Sequence, residues 1–259
     1  MHFKTKAIIL DLHLTDKKES YITTYTQNYG KVVFLTRGLG KNEAKLKTAL
    51  LPFSLSEIIA VTSRKTPVIT RASLIKSLYS KSNFKNQSLA FYLSGLINDL
   101  TEEGLRDKQI FSLILGTLNV LSRSKTDKNL RDLILIYFPL KLLKYLGQLP
   151  ELGNCAQCSE RLKANSCFLN YKSGGLICSN CHSNNNKSIK LTPREFYFLR
   201  KIPETNFKTL IRYNNYLSSK SLEKLALTVN LYALYLTGLK IHPFKTTQII
   251  NNLSPSCLL

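Results

Sequence analysis

Along the first 80 residues, apolar and polar side chains alternate with a period close to two, which is typical of half-buried β-strands. Stretches rich in Ile, Val, Thr and Tyr are separated by turn-forming residues, and Tyr29-Gly30 favours a tight hairpin. The predicted strands are residues 6–14, 21–27, 31–36, 55–62 and 68–75. Five strands in this length suit a small closed barrel of the OB type or an SH3-like barrel, and the periodicity does not separate the two.

Beyond the predicted strands, the apolar positions recur every three to four residues, which predicts α-helices. The first apolar stripe covers residues 89–100, and Asp107 is expected to cap a second helix that runs through residue 121. A third helix is predicted for residues 130–146, and Pro139 should kink it or divide it in two.

Nearer the C-terminus, Thr192-Pro193-Arg194-Glu195 has the sequence of a capping box with proline in the first turn, so a helix should begin there. A last helix is predicted for residues 221–239. The expected fold is therefore α+β and multidomain. An OB-type β-barrel domain over residues 1–80 precedes a helical domain over residues 81–259, which contains a cysteine module at about residues 151–185.

Two C-x2-C pairs, Cys155 with Cys158 and Cys178 with Cys181, are separated by 19 residues. Each pair can place two thiolates on one tight turn, and two such turns facing each other form a tetrahedral site for one Zn²⁺. Four protein ligands leave no open coordination position, so the predicted zinc is structural and not catalytic.

Two other interpretations of the cysteines are weaker. Disulfides are disfavoured in a cytosolic protein, and a redox-active C-x-x-C usually stands in a thioredoxin-like βαβ context that is missing here. Cys167 is expected to be a small core residue, and His182 is a less favoured substitute ligand. Cys257 has no evident role.

The chain carries 37 Lys and Arg against 16 Asp and Glu, a formal net charge of +21 and a pI near 9.8. Residues 1–81 and residues 151–259 each hold 14 basic and 5 acidic side chains, while the middle is nearly balanced. Such an excess favours a polyanionic partner, and its distribution suggests two candidate surfaces. A lysine-rich genomic composition could also produce part of this charge.

Basic residues beside aromatic ones mark the predicted nucleic-acid contacts in the barrel. In an OB barrel, bases stack on the face formed by strands two and three while Lys and Arg follow the phosphates. The candidate DNA-binding residues are Lys31, Arg37, Lys41, Lys45 and Lys47, with Tyr29, Phe34 and Phe53 as the neighbouring aromatics. The alternative is that residues 41–47 form only a solvated helix or loop.

The sequence argues against an enzyme and against a membrane protein. The four histidines pair with no suitable Cys, Ser or carboxylate pattern, and Gly38-Leu39-Gly40-Lys41 lacks the spacing of a Walker A motif. No apolar run reaches the ~18 residues of a membrane span, and no secretory signal is visible. A soluble, cytosolic protein is expected.

Together these features resemble the bacterial RecO family of recombination and repair proteins. Three parts of the chain carry the resemblance: short motifs in the predicted barrel, the end of the third predicted helix, and the second half of the cysteine module. They are Tyr29-Gly30-Lys31-Val32, Arg37-Gly38 and Leu51-Pro52-Phe53, then residues 142–152 leading into Cys155-x-x-Cys158, then Gly174-Gly175-Leu176-Ile177-Cys178-x-x-Cys181.

The resemblance implies an OB domain followed by a helical domain with an embedded zinc module. It implies binding to single- and double-stranded DNA and annealing of complementary strands without nucleotide hydrolysis. The implied partners are RecR and the acidic tail of single-stranded DNA-binding protein, with RecA loaded indirectly, in the bacterial cytoplasm near the nucleoid.

Two other functions remain open at this level. A zinc-ribbon RNA-binding protein of translation or ribosome assembly would have the same composition, and it would prefer structured RNA over single-stranded DNA. A zinc-dependent nuclease or nucleotide-modifying enzyme would need an open metal position, which four cysteine ligands do not provide.

Overall fold

The structure is a computed structural model of the 259-residue chain, and it describes residues 2–15, 19–37, 44–63, 65–79, 83–123, 126–182 and 188–238. The chain forms two compact units, Met1–Lys125 and Thr126–Leu259. The first unit therefore contains two helices in addition to the residues that the sequence assigns to the barrel domain. In the described part of the chain, no helix is both long and apolar enough to cross a membrane.

Five strands form the predicted OB-type sheet, and their bounds lie close to the predicted ones. They are β1 (His2–Leu14), β2 (Glu19–Thr26), β3 (Gly30–Arg37), β4 (Ser54–Val61) and β5 (Val68–Ser77). The strand order is β1-β2-β3-β5-β4, and β1 also pairs with β4, so the ladder curls into a barrel. The weakest junction is the parallel one between β3 and β5, which has the single registered pair Leu35↔Val68. This order is that of an OB fold, which confirms the predicted fold class.

The barrel core follows directly from the period of two, because every second side chain of a strand points inward. Its buried members are Ala7, Ile9, Ile22, Phe34, Ile58, Ala60 and Ile69 on the strands, together with Leu50 between β3 and β4. Between β3 and β4, the short helix α1 (Ala44–Ala49) supplies the carbonyl of Ala49, which accepts a hydrogen bond of 2.6 Å from the buried hydroxyl of Ser56.

Helices α2 (Phe84–Leu100) and α3 (Lys108–Leu121) complete the first unit. The Asp107 carboxylate accepts hydrogen bonds from the backbone N–H groups of Gln109 and Ile110, which confirms the predicted cap of α3. The N-cap of α2 is Asn83, whose side chain accepts a bond from the N–H of Asn86.

The second unit is built around α4 (Lys128–Tyr145) and α7 (Ser219–Leu236). The prediction that Pro139 could divide α4 in two is wrong, because the helix continues through it. Proline removes the hydrogen bond to the carbonyl four residues earlier, which belongs to Leu135. The side-chain amide of Asn230 in α7 donates to that carbonyl at 2.8 Å, so the carbonyl keeps a partner and the helix persists.

Smaller elements link these two helices. A three-stranded sheet has the order β7-β6-β8 and consists of β6 (Cys167–Asn170), β7 (Gly175–Cys178) and β8 (Ser188–Lys190). It leads into α5 (Pro193–Lys201) and α6 (Phe207–Arg212), each followed by a short 3₁₀ turn. The predicted capping box is confirmed: the Thr192 hydroxyl accepts from the N–H of Glu195, and the Glu195 carboxylate accepts from the N–H of Thr192.

Candidate metal centre and nucleic-acid interface

The four cysteines of the two C-x2-C pairs lie together in the second unit, with their Sγ atoms all within 4.8 Å of one another. Each pair sits on a turn closed by a backbone hydrogen bond. The N–H of Ser159 donates to the carbonyl of Cys155 at 2.8 Å, and the N–H of His182 donates to the carbonyl of Cys178 at 3.1 Å. The chain thus folds into two facing knuckles.

The spacing of the sulfur atoms suits a tetrahedral metal. Bonds of ~2.3 Å from a central zinc to four sulfurs place the sulfurs roughly 3.8 Å apart. The Sγ atoms of Cys158 and Cys178 are 3.8 Å apart. An all-thiolate donor set is typical of zinc or iron in tetrahedral sites. The four cysteines can therefore hold one metal ion.

The electrostatics of the cluster are compatible with a bound cation. Burial raises the pKa of Cys155, but hydrogen bonds from the backbone N–H groups of Cys158, Cys178 and Gln157 outweigh burial and bring this pKa to about 6. Hydrogen bonds with the thiols of Cys158 and Cys178 raise the pKa of Cys181 to about 12. One thiolate thus forms readily, and four ionise together only when a positive ion offsets their repulsion.

Close backbone contact holds the second knuckle in position. The N–H of Glu151 donates to the carbonyl of Gly174 at 3.0 Å, and the N–H of Leu176 donates to the carbonyl of Glu151 at 2.8 Å. A Cβ added at Gly175 would lie 2.3 Å from the carbonyl oxygen of Glu151, so only glycine fits there. The segment 142–152 thus connects α4 to the cysteine knuckles.

The remaining sulfur and imidazole groups are engaged elsewhere. Cys167 is fully buried, and burial raises its pKa to about 11, which fits the expected core residue. His182 stacks on Phe168 with ring centroids 3.9 Å apart, and its Nδ1 lies 2.9 Å from the hydroxyl oxygen of Ser188. His182 is not part of the metal-binding group. Cys257 lies outside the described residues.

Of the candidate DNA contacts whose side chains the structure describes, Lys31 is the one whose position differs from the expectation. Its side chain is 7% exposed, and its Nζ donates a hydrogen bond of 2.6 Å to the carbonyl of Asn98 at the end of α2. Burial lowers the pKa of Lys31, although the carboxylates of Glu103 and Asp99 oppose this effect. A DNA contact by Lys31 stays a prediction, and this buried position does not favour it.

Of the other four candidates, the structure describes the side chains of two, Arg37 and Lys47. Arg37 is exposed at the end of β3, where its Nε donates to Glu19 at 3.1 Å, and Lys47 is exposed on α1. Lys41 lies outside the described residues, as does the side chain of Lys45. Arg37 and Lys47 are therefore the described candidates that face solvent.

The register of β2 and β3 shows which side chains form the outer face of the barrel. Phe34 and Phe53 are buried, so two of the three expected aromatics belong to the core. Tyr21, which the sequence interpretation missed, is 38% exposed and lies opposite Leu35. The pair Glu19↔Arg37 is next along the same face, since residues two apart share a side. The alternation within residues 19–26 carried the signal for Tyr21.

Comparison with known families agrees with this architecture. The family model described as "Recombination protein O N terminal" matches residues 1–78, and the one described as "Recombination protein O C terminal" matches residues 81–239. The chain belongs to the Recombination protein O family. The resemblance seen in the sequence is thereby confirmed.

Relatives in this family share about a quarter of their residues with the chain over most of its length. The DNA repair protein RecO of Alkaliphilus metalliredigens is 28% identical over 234 residues, which cover 90% of this chain and 87% of that protein. The DNA repair protein RecO of Dehalococcoides mccartyi strain 195 is 28% identical over 211 residues, with 81% of each chain covered. That of Bacillus pumilus is 26% identical over 201 residues, 77% of this chain and 76% of that protein.

Proposed function

We propose that the protein anneals complementary single strands of DNA and helps load RecA onto single-stranded DNA that is covered by single-stranded DNA-binding protein. The proposal rests on membership of the Recombination protein O family, whose relatives are named DNA repair proteins. One observation on the molecule carries it: the outer face of β2 and β3 has an exposed aromatic ring, Tyr21, close to an exposed cation, Arg37.

This arrangement suits an extended strand of DNA. A base can stack on an aromatic ring without regard to its sequence, while an arginine or lysine neutralises the adjacent phosphate. The exposed ion pair between Arg37 and Glu19 is weak in water, so a phosphate can replace Glu19 at little cost. Annealing needs this kind of contact, because two strands must be held without selecting their sequence.

The metal in this proposal is one structural Zn²⁺ held by Cys155, Cys158, Cys178 and Cys181. Among the residues that the structure describes, these four form the one group of His, Cys, Asp and Glu side chains able to hold a metal. Zinc would fix the two knuckles and would have no free position for substrate or water. We therefore propose a protein that acts by binding, without turnover.

The partners in this proposal are RecR, the acidic tail of single-stranded DNA-binding protein and, indirectly, RecA, in the bacterial cytoplasm near the nucleoid. The net charge of +21 supports both kinds of contact, since DNA and an acidic tail are both polyanionic. Double-stranded DNA would bind through the same electrostatic attraction.

The decisive experiment measures annealing of complementary strands that are coated with single-stranded DNA-binding protein, in the absence of nucleotide. Strand integrity is checked on a denaturing gel in the same samples. We expect faster annealing of intact strands. Unchanged annealing together with tighter binding to structured RNA would overturn the proposal, and strand cleavage would show that the protein is an enzyme.

A further inference from the structure

The second unit uses almost all of its carboxylates inside its own fold. Glu195 is 1% exposed and accepts hydrogen bonds from the N–H of Thr192 and from the Nζ of Lys224. Six of the seven carboxylates of residues 126–259 have such described partners, namely Asp127, Asp132, Glu151, Glu195, Glu204 and Glu223. Asp127, Glu151 and Glu204 remain exposed, but each already has a partner within the unit.

The outer face of α5 gathers several exposed cations around one aromatic ring. Arg194, Tyr197, Arg200 and Lys201 are all exposed, while the other side of the helix is buried. At 100° per residue, these four positions lie within a sector of about 120°. The one acidic residue of α5, Glu195, is on the buried side, so the helix itself contributes only positive charge to this face, and the exposed carboxylate of Glu151 acts electrostatically on Arg200.

The aromatic ring on this face is held in place and open to solvent. Tyr197 is 55% exposed, the largest exposed fraction of any described tyrosine. The buried ring of Phe196 contacts it edge to face, with centroids 5.4 Å apart. The guanidinium of Arg200 lies 5.3 Å from the centroid of Phe196, so Arg200 is also packed against the same ring.

We propose that this face of α5 is a second contact for single-stranded DNA, with Tyr197 stacking on a base and Arg194 and Lys201 contacting phosphates on either side of it. The inference deepens the proposed function and rests on it. Arg194 and Lys201 are seven residues apart, which is about 10 Å along a helix, so they reach different phosphates. Neither forms an ion pair with any described residue.

The combination of chemistries favours a nucleic-acid strand over an acidic peptide. A peptide rich in Asp and Glu would satisfy the cations, but it would leave the exposed ring without a flat partner. A single strand offers alternating bases and phosphates, which match a ring placed between two cations. Three of the 14 basic residues of 151–259 lie on this face, so the proposed contact uses part of the charge that the barrel does not explain.

The first test measures the salt dependence of single-stranded DNA binding by the full chain. Each phosphate contact on a single strand contributes about 0.7 to the slope of log K against log salt. Arg194→Gln with Lys201→Gln should reduce this slope by about 1.4. The matched control is Lys208→Gln with Lys220→Gln, which removes the same charge from exposed positions of α6 and α7. Equal slopes in the two double variants would overturn the inference.

The second test uses the absence of tryptophan from the chain. Tyr197→Trp introduces a single indole, whose fluorescence should be quenched when oligo(dT) stacks on it. Tyr235→Trp is the control, since Tyr235 is 51% exposed on α7 and lies outside the proposed face. Quenching of both indoles alike, of neither, or of the indole at 197 by poly-glutamate and not by oligo(dT) would each contradict the inference.

Failure of this inference is distinguishable from failure of the proposed function. If the unaltered chain does not bind or anneal single strands, the proposed function itself is wrong, and the α5 contact falls with it. If annealing is normal while the indole at 197 stays unquenched and the slope is unchanged, DNA is held elsewhere and only the α5 contact is wrong.

Discussion

The side-chain amide of Asn230 donates a hydrogen bond of 2.8 Å to the main-chain carbonyl of Leu135, the carbonyl that Pro139 leaves without its helical donor. Both partners are buried, Asn230 at 1% and Leu135 at 5% exposure. An unsatisfied carbonyl in such surroundings is costly, so the amide from α7 replaces the missing bond inside α4. Two helices that are far apart in sequence are thereby tied at one atom.

This hydrogen bond predicts energetic coupling between positions 139 and 230. Asn230→Leu should lower the free energy of unfolding by about 1–3 kcal/mol, because it leaves the carbonyl of Leu135 unpaired. In a Pro139→Ala background the restored backbone N–H can bond that carbonyl, so the same substitution should cost about 1 kcal/mol less. Urea unfolding of the four proteins measures the coupling. Strictly additive effects would show that the two positions act independently.

The hairpin between β2 and β3 predicts an unusually sensitive glycine. Gly30 has a φ of +65°, and a Cβ there would lie 2.0 Å from the carbonyl oxygen of Leu105. Gly30→Ala should cost about 2–5 kcal/mol, from the left-handed backbone and from the displaced main chain. Gly104→Ala is the control, since Gly104 has a φ of +80° with nothing within 4 Å of an added Cβ. Thermal unfolding should separate the two variants, and equal losses would argue against the close approach.

Asp132 predicts a pH dependence of stability. Burial raises the pKa of this carboxyl to about 6, and Glu223 adds to the effect while Lys128 opposes it. The folded state therefore keeps a proton that the unfolded state releases between about pH 4 and pH 6, so stability contributed by Asp132 falls as pH rises through that window. Asp132→Asn cannot ionise, and it should gain up to about 3 kcal/mol relative to the wild type from pH 4 to pH 7.

The matched control for Asp132 is Asp127→Asn. Asp127 caps α4 through the N–H of Leu130, and asparagine caps helices about as well as aspartate. Denaturant unfolding across the pH range should show the gain for the substitution at 132 and not for the one at 127. A parallel pH profile for wild type and Asp132→Asn would rule out the raised pKa.

The cysteine cluster predicts that zinc content and stability change together. Cys158 is exposed, so Cys158→Ser disturbs no packing, yet it should lose the metal and several kcal/mol of stability in the second unit. Cys167→Ala is the control, because Cys167 is buried and outside the cluster. That control should keep one zinc per chain by elemental analysis. Zinc content that survives in Cys158→Ser would contradict the four-cysteine site.

The outer face of β2 and β3 predicts which substitutions should weaken DNA binding by the barrel. Arg37→Gln with Lys47→Gln should reduce the salt slope for single strands by about 1.4, and Tyr21→Ala should weaken binding roughly 5- to 150-fold through lost stacking. Lys85→Gln with Lys108→Gln removes the same charge from exposed positions on α2 and α3 and is the control. Filter binding at several salt concentrations measures both the affinity and the salt slope. An identical slope in both double variants would move the DNA site away from β2 and β3.

Local pattern was enough to predict the barrel strands, the capping box and the grouping of the four cysteines. Each depends on residues close together in sequence, such as the alternation of β4 or the spacing of Cys155 and Cys158. The strands β6, β7 and β8 were missed because three or four residues are too few to show a period.

Long-range contacts explain the other differences. Lys31 has the sequence surroundings of a DNA contact. Its side chain is instead buried and hydrogen-bonded to the carbonyl of Asn98, which lies 67 residues away in the sequence. The continuity of α4 depends on Asn230, which no local pattern around Pro139 reveals. Lys31 and Arg37 alternate in step with the apolar Val33 and Leu35, so the sequence alone does not show which side of β3 faces inward, and the pairing with β2 shows it.

Because most carboxylates of the second unit have partners within the unit, the effect of its exposed positive charge depends on salt concentration and not on moderate changes of pH. Lys and Arg stay charged throughout the physiological pH range, so moderate acidification leaves the positive field of α5 intact. Dissolved ions weaken that field steeply, because a strand must regain its counterions when the protein leaves. A cell that concentrates potassium under osmotic stress would weaken the proposed contact between α5 and DNA, whereas one that acidifies would not.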